Sequence, residues 1–197
     1  MNTTTIDTSV SNRSRPEEYI PAHGEVYKLV HFTDKILTSK LENFDFANLP
    51  IDPNILATNL LKTMYTLKGA GLSANQVGLP YRVFVMRPNF ACFNPRVVLA
   101  EDEEVLEEGC LTFPGITIKV KRAKHIKVRF ATPSGTITTQ TFTGMTARVF
   151  QHEMQHMDGE FFFNGIGRMK METAMRKAKK YGFDYNGYNL MKYAIGS

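Results

Sequence analysis

The sequence predicts an α+β fold. Antiparallel or mixed β-sheets surround a central helix that carries an H-E-x-x-H pattern, with an N-terminal helix before them and a C-terminal helix after. Three observations predict it. Apolar or strictly alternating runs of strand length recur between residues 82 and 142. The period then changes, and Met145, Val149, His152 and His156 fall at i, i+4, i+7 and i+11, one stripe of a helix. Two more helical patterns lie on either side of this region.

In chain order, "DPNILATNLLKTMYTLKG" reads as the first helix. Asp52 can cap it, Pro53 suits its first turn, Leu56, Leu60, Met64 and Leu67 form an apolar stripe, and Gly69 can stop it. "RVFVM", 82–86, suits a short strand. "ITIKVKR", 116–122, puts Ile116, Ile118 and Val120 on one face and Thr117, Lys119 and Lys121 on the other, and "HIKVRF", 125–130, repeats the alternation. "TITTQTF", 136–142, is β-branched and follows the turn signal "PSG". The central helix follows, with Gly159 as its stop. A last helix over 168–180 is basic at its polar positions.

At 197 residues, the chain suits one domain with a full core. We expect a flexible, Ser/Thr-rich tail over 1–20, a catalytic unit over 21–167, and a C-terminal helix and tail over 168–197. Apolar content of 43% with 22% charged residues is that of an ordinary soluble protein. No apolar stretch approaches the roughly 18–20 residues of a membrane span, and the N-terminus lacks the apolar core of a secretory signal. Two cysteines, Cys92 and Cys110, do not make a disulfide framework, so a reducing compartment is expected, with a thiolate available as a ligand; the cytoplasm is the expected location, an organellar or virus-encoded origin being the alternative. The net charge of +5 sits in local runs and does not by itself name an acidic partner.

The chemistry concentrates in "QHEMQHMDG", 151–159. His152 and His156, four apart, can reach one divalent ion from one helical face. Glu153, beside the first His, can take a proton from a water that the ion polarises. Two imidazoles leave the site short of a third protein ligand, and three completions compete. A third His at the extended-motif position fails, because Phe162 stands there. A downstream carboxylate, as in thermolysin-like sites, makes Glu172 a candidate. An upstream cysteine makes Cys110 a candidate, presented in "EEGCLTFPG" after Gly109, where glycine permits close backbone approach. Cys92, between aromatics in "FACFNP", looks like a small core residue. A glycine cluster, "GAGLSANQVG" at 69–78, is either a plain helix-to-strand turn or a substrate-facing loop in which Gln76 supplies amide donors.

Taken together, "GAGLSANQ", "EGCLT" and "HEMQH" occur in order and resemble the three signature motifs of the peptide deformylase family, G-x-G-L-A-A-x-Q, E-G-C-L-S and H-E-x-D-H. The resemblance runs over roughly residues 25–170 and takes in "TMYTLKGAGLSANQVGLPYRVFVM", "FNPRVV" and "VKRAKHIKVRF". It implies that Cys110, His152 and His156 hold one divalent ion, naturally Fe2+ in most of the family, with Zn2+, Ni2+ or Co2+ able to replace it. It implies that Glu153 is the general acid/base. Gln76 and the backbone N–H of Leu111 would stabilise the oxyanion, where losing one donor costs about 100- to 1000-fold in rate. Gly71 would contact the substrate backbone. The implied reaction removes the N-formyl group from the initiator methionine of nascent polypeptides and releases formate. Met145 and Val149, on the ligand stripe, can line an apolar pocket for that methionine or serve as ordinary core.

Three positions depart from the family pattern. Ser73 replaces the first Ala of the Ala-Ala pair, Thr112 replaces Ser, and Gln155 stands where the family has Asp. None is a ligand, so an active enzyme is expected, with Gln155 the place where ligand orientation is open to change. Two charged runs remain. "EDEEVLEE", 101–108, with the basic strand after it, reads as a solvated hairpin with charges paired across the sheet. "RMKMETAMRKAKK", 168–180, reads as a solvated packing helix; some members of the family use a C-terminal helix to reach the ribosome, and a basic face could meet RNA phosphates. Thermolysin-like metallopeptidase and inactive peptide-binding relative are the rival readings. An RNA-binding module finds no recognition motif. No membrane partner is expected, and the protein is taken as a monomer.

Overall fold

The structure, a computed structural model, describes residue 21 and residues 23–195. Helix α1 spans Pro53–Thr66. The Asp52 carboxylate accepts from the Asn54 and Ile55 N–H groups at 2.8 and 3.1 Å, which satisfies two donors left free at the helix start. Leu56, Leu60 and Met64 are fully buried, as the stripe predicts. The helix end differs from expectation. Lys68 takes the left-handed backbone, with φ of 58°, and Gly69 does not. Gly69 answers a different demand, because a Cβ there would lie 2.8 Å from Leu111 Cδ1.

Five strands follow: β1 (Gly71–Ser73), β2 (Val83–Met86), β3 (Phe90–Cys110), β4 (Phe113–Ala131) and β5 (Ile137–Thr143). They form one sheet in sequence order, and every neighbouring pair is antiparallel. The only parallel pairing among the described residues is an isolated bridge, Glu42 to Tyr81. The two alternating runs at 116–122 and 125–130 are one strand, β4. Its inward Ile116, Ile118, Ile126, Val128 and Phe130 are buried. The acidic run lies in β3 opposite basic residues of β4, with Glu107 facing Lys119 and Glu104 facing Arg122. Lys121 and Glu103 pair at 2.6 Å on the surface, where such a pair contributes little to stability.

Helix α2 (Gly144–Met157) leaves the end of β5 and runs across the sheet. Ala147, Phe150 and Met157 bury against Phe84, Cys92, Ile126 and Phe142, so Cys92 is core as expected. Gly159, with φ of 74°, ends the helix in the left-handed conformation that glycine adopts without strain. Helix α3 (Arg168–Lys180) matches its predicted span, and a short helix, α4 (Met191–Ile195), follows it. Met171, Ala174 and Ala178 of α3, Tyr185, and Ala194 of α4 share one core cluster with Phe113 and Phe161. The C-terminal segment is therefore packed into the fold. No helix among the described residues is long and apolar enough to cross a membrane.

Candidate active site

The β3–β4 hairpin presents the first ligand candidate. Cys110 pairs with Phe113 at its closing end, and only Leu111 and Thr112 lie between them. The hairpin lies over α2, which brings Cys110 to the two histidines from 42 residues upstream of the first. One ligand atom from each of Cys110, His152 and His156 falls within 4.8 Å of the others. Cys110 Sγ stands 3.3 Å from His156 Nε2. Two ligands of a tetrahedral ion, with metal–sulfur and metal–nitrogen bonds near 2.3 and 2.0–2.1 Å, stand about 3.6 Å apart, so the spacing fits an ion. Of the rival ligands, Phe162 is apolar core. Glu172 points to solvent on α3 and pairs with Arg168 at 2.9 Å, so the thermolysin-like completion is overturned.

Electrostatics agree with that fit. Burial alone would push the Cys110 thiol up, but the charge of His156 and the hydrogen bonds of both histidines outweigh it and hold the thiol well below its ordinary value. Burial opposes charge on His152, yet the hydrogen bonds of Cys110 and Glu108 push its imidazole up to about 10. The pocket thus favours a thiolate with positive charge beside it, which a divalent ion supplies.

Around the ligands stands a network that sequence reasoning did not find. His152 Nδ1–H donates to Glu108 Oε2 at 3.0 Å, which turns the other ring nitrogen toward the ligand cluster. Glu108 is itself clamped by Arg122 Nε and Nη2 at 2.6 and 2.8 Å, and by Arg148 Nη1 at 2.6 Å. Burial works against its charge, but His152 and then Arg122 hold its carboxyl at about 2. Gln155, the departure from the family's Asp, accepts from Arg122 Nη2 at 2.7 Å. It therefore bears on the ligand candidate His152 through two intermediaries, Arg122 and Glu108. A signal was present in the sequence: Arg148 is one helical turn before His152 on a buried face, and a buried guanidinium requires an acid.

Glu153 lies on the same helix and is buried. Burial raises its carboxyl above the ordinary value, against the opposing pull of His152, His156 and a hydrogen bond from Ser73. Ser73 Oγ donates to Glu153 Oε2 at 2.6 Å, so this departure from the family's Ala acquires a partner. Gly71 is required to be glycine, because a Cβ there would overlap the Glu153 carboxyl group. Gln76 accepts from the Ser73 N–H at 2.9 Å and donates to Thr112 Oγ1 at 2.9 Å and toward Cys110 Sγ at 3.5 Å. Thr112 thus keeps the hydroxyl of the family's Ser and uses it. The glycine cluster is not a plain turn; it is β1 with a 3-10 turn at Ala74–Val77 that holds Gln76 against the hairpin tip. Gly109 does not serve close approach, since a Cβ there would meet only Ile116 O at an ordinary 3.5 Å.

A cleft of about 400 Å³ opens above these groups. Gly71, Gln76, Leu111, Met145 and Val149 line it with Cys110, His152 and Glu153, so all the predicted site residues except the deeper His156 border one cavity. Met145 is 60% exposed and Val149 is half-buried, so neither is closed core.

A soft thiolate and two imidazoles spaced for one ion, with a protonatable buried carboxyl beside them, belong to a metal-dependent hydrolase. Comparison with known proteins narrows the class. The profile of the family described as polypeptide deformylase matches residues 26–172, most of the sequence, and the chain belongs to that family. A peptide deformylase of Thermotoga petrophila is 36% identical over 158 residues, covering 77% of this chain and 94% of that one. One from Rhodopirellula baltica is 35% identical over 138 residues, covering 66% and 69%. Among solved structures, a peptide deformylase from Thermus thermophilus superposes with a TM-score of 0.71 at 32% identity, covering 79% of this chain and 94% of that chain. One from Synechococcus elongatus in complex with actinonin also gives 0.71, at 26% identity, covering 82% and 93%.

Proposed function

We propose that the protein hydrolyses the N-formyl group of N-formylmethionyl nascent peptides, with Cys110, His152 and His156 holding one divalent ion. The observation that carries this reading is the convergence of that thiolate and two imidazoles within 4.8 Å beside a buried Glu153. Cys110, His152 and His156 would hold the ion, taken to be Fe2+ with Zn2+, Ni2+ or Co2+ as substitutes, and when bound it would supply Lewis acidity that lowers the pKa of a water toward neutrality. Glu153 takes a proton from the attacking water and, with a carboxyl that burial makes basic, passes it to the amine nitrogen as the C–N bond breaks. Formate and a free methionyl N-terminus result. The Leu111 N–H and the Gln76 side-chain amide, the latter by exchanging its 3.5 Å contact to Cys110 Sγ, stabilise the developing oxyanion, and Ser73 fixes the rotamer of Glu153 through its 2.6 Å hydrogen bond. Gly71 meets the substrate backbone from the cleft wall, and Met145 and Val149 receive the methionine side chain.

The test is formate release from formyl-Met-Ala-Ser by the iron-loaded protein, read beside cleavage of an internal peptide bond. Formate without internal cleavage is expected. Internal cleavage alone would return the protein to the metallopeptidases, and tight binding with no turnover of either would make it a peptide-binding relative.

The same reading takes the protein as a monomer in the cytoplasm, where formylated chains emerge, with residues 21–167 as its catalytic unit and 168–197 as its C-terminal helix and tail, of which the described residues 168–195 pack on that unit. Lys119 and Lys121 of β4 and Lys170 and Lys177 of α3 border one groove of about 610 Å³, which supports contact with ribosomal RNA phosphates. Because α3 belongs to the core, Lys170→Glu with Lys177→Glu tests this more cleanly than deletion. Co-sedimentation with ribosomes should fall while the unfolding midpoint holds.

A further inference from the structure

Two consecutive side-chain amides of the 3-10 turn Ala74–Val77 face two different ligand candidates. Gln76 Nε2 donates toward Cys110 Sγ at 3.5 Å, and Asn75 Nδ2 donates to the His156 carbonyl at 2.8 Å. The turn is held in place by the backbone. The Val30 N–H donates to Gln76 O at 2.9 Å, and the Leu79 N–H donates to Ala74 O at 3.0 Å. Asn75 is fully buried and His156 is nearly so.

These two residues carry a complementary pair of unmade bonds. Among the described residues, three buried side-chain atoms have no hydrogen-bond partner, and two of them are Asn75 Oδ1 and His156 Nδ1. The chemistry of each atom is fixed by its neighbours. His156 Nε2 stands 3.3 Å from Cys110 Sγ, on the side of the ligand cluster. A neutral imidazole that gives its Nε2 lone pair to an ion carries its proton on Nδ1, so Nδ1 is a donor. Turning the Asn75 amide over would set Oδ1 against the His156 carbonyl, acceptor to acceptor, so Oδ1 stays where it is. A buried donor and a buried acceptor, each costly to leave unpaired, thus lie on residues already in contact.

The other histidine supplies the comparison. His152 Nδ1–H donates to Glu108 Oε2 at 3.0 Å. A ligating histidine almost always donates its second ring N–H, and among the described residues no protein group accepts that of His156. One water that accepts from Nδ1–H and donates to Oδ1 completes both atoms, and a buried polar spot with partners of both kinds is where such a water is held. We propose that Asn75 is the positioning residue of His156: its Oδ1 anchors the His156 Nδ1–H through one buried water, as Glu108 anchors that of His152. The proposal rests on the deformylase reading, since it takes His156 Nε2 to sit on the ion.

The test uses the zinc-loaded protein. Proton–nitrogen NMR of the histidine-labelled chain should show the His156 proton on Nδ1, slow to exchange, with a cross-peak to bound water. A proton on Nε2, or an Nδ1 proton that exchanges as fast as that of the exposed His31, overturns the proposal. Chelator competition then separates the acceptor of Asn75 from its donor. Asn75→Leu, similar in size without polar atoms, should weaken zinc affinity about 10- to 100-fold, whereas Asn75→Asp, which keeps an acceptor oxygen and loses the donor to the His156 carbonyl, should stay within about 3-fold of wild type. A role confined to the bond with that carbonyl predicts that both variants weaken alike, and that result also overturns the proposal. The NMR measurement on the wild-type chain decides the matter if a variant fails to fold. Slow Nδ1–H exchange with no zinc-affinity change in Asn75→Leu, while the wild-type chain releases formate, overturns the positioning role and leaves deformylation standing. A wild-type chain that binds no zinc overturns both, since no imidazole then needs orienting toward an ion.

Discussion

Replacing Glu108 by Ala removes the centre of the buried network. The carboxylate accepts from Arg122 Nε and Nη2, Arg148 Nη1 and His152 Nδ1, all between 2.6 and 3.0 Å. Breaking a buried pair by deleting one partner costs about 3–5 kcal/mol, because the other charge stays buried. Here the remaining guanidiniums keep other acceptors. Arg148 still donates to Val120 O and Glu104 O at 3.0 and 2.8 Å, and Arg122 to Gln155 Oε1 at 2.7 Å. The loss should therefore sit near the lower bound, about 3 kcal/mol. His152 also loses the acceptor that orients its ring, and losing such a partner weakens metal affinity about 10- to 100-fold. Urea unfolding reads the first quantity, and competition of the zinc-loaded protein with a chelator reads the second. Glu108→Gln, which keeps shape and loses charge, should fall between wild type and Glu108→Ala in both. Stability within about 0.5 kcal/mol and metal affinity within twofold in Glu108→Ala would refute the reasoning.

Four further outcomes are expected. Ser73→Ala removes the 2.6 Å donor to Glu153 and should lower kcat about 10-fold, the worth of one charge-assisted hydrogen bond, with metal content and KM little changed. Gly71→Ala pushes a methyl into the Glu153 carboxyl group, and kcat should fall by about 100-fold or more while the ion is retained, as checked by metal analysis and formate assay. Gln155→Asp places a carboxylate before Arg122 and should raise unfolding stability by about 1 kcal/mol, with slower loss of metal to a chelator. Glu153→Ala should bind the ion and the peptide and release no formate.

Much of the site was legible because its spacing is local. His152 and His156 sit on one helical face by periodicity alone, Glu153 directly follows the first, and the motif around Cys110 singled it out. What joins them is long-range. The β3–β4 hairpin carries Cys110 to the helix; opposite charges marked its arms, yet most of β3 is exposed, so no buried period showed that the strand runs from Phe90 to Cys110. Glu108 looked like one charge of a solvated run, because nothing in sequence marks which acid of "EDEEVLEE" turns inward. Alternation found β4 but divided it, since "AK" at 123–124 interrupts the pattern without breaking the ladder. Gly69 was read as a helix stop for its backbone freedom, whereas its φ is not left-handed and a Cβ there would crowd Leu111 Cδ1 at 2.8 Å and the Gly71 carbonyl at 3.0 Å. The short helix at 191–195 carries too few residues to show a period.

The central claim is that Cys110, His152 and His156 together hold the ion on which deformylation depends. Titrating the metal-free protein with Fe2+ under anaerobic conditions, while following formate release from formyl-Met-Ala-Ser, tests it most directly. Activity should rise in proportion to bound iron and level off at about one ion per chain, and Cys110→Ala should retain no ion and release no formate. Formate release independent of iron, or a Cys110→Ala protein that keeps both ion and activity, would contradict the claim.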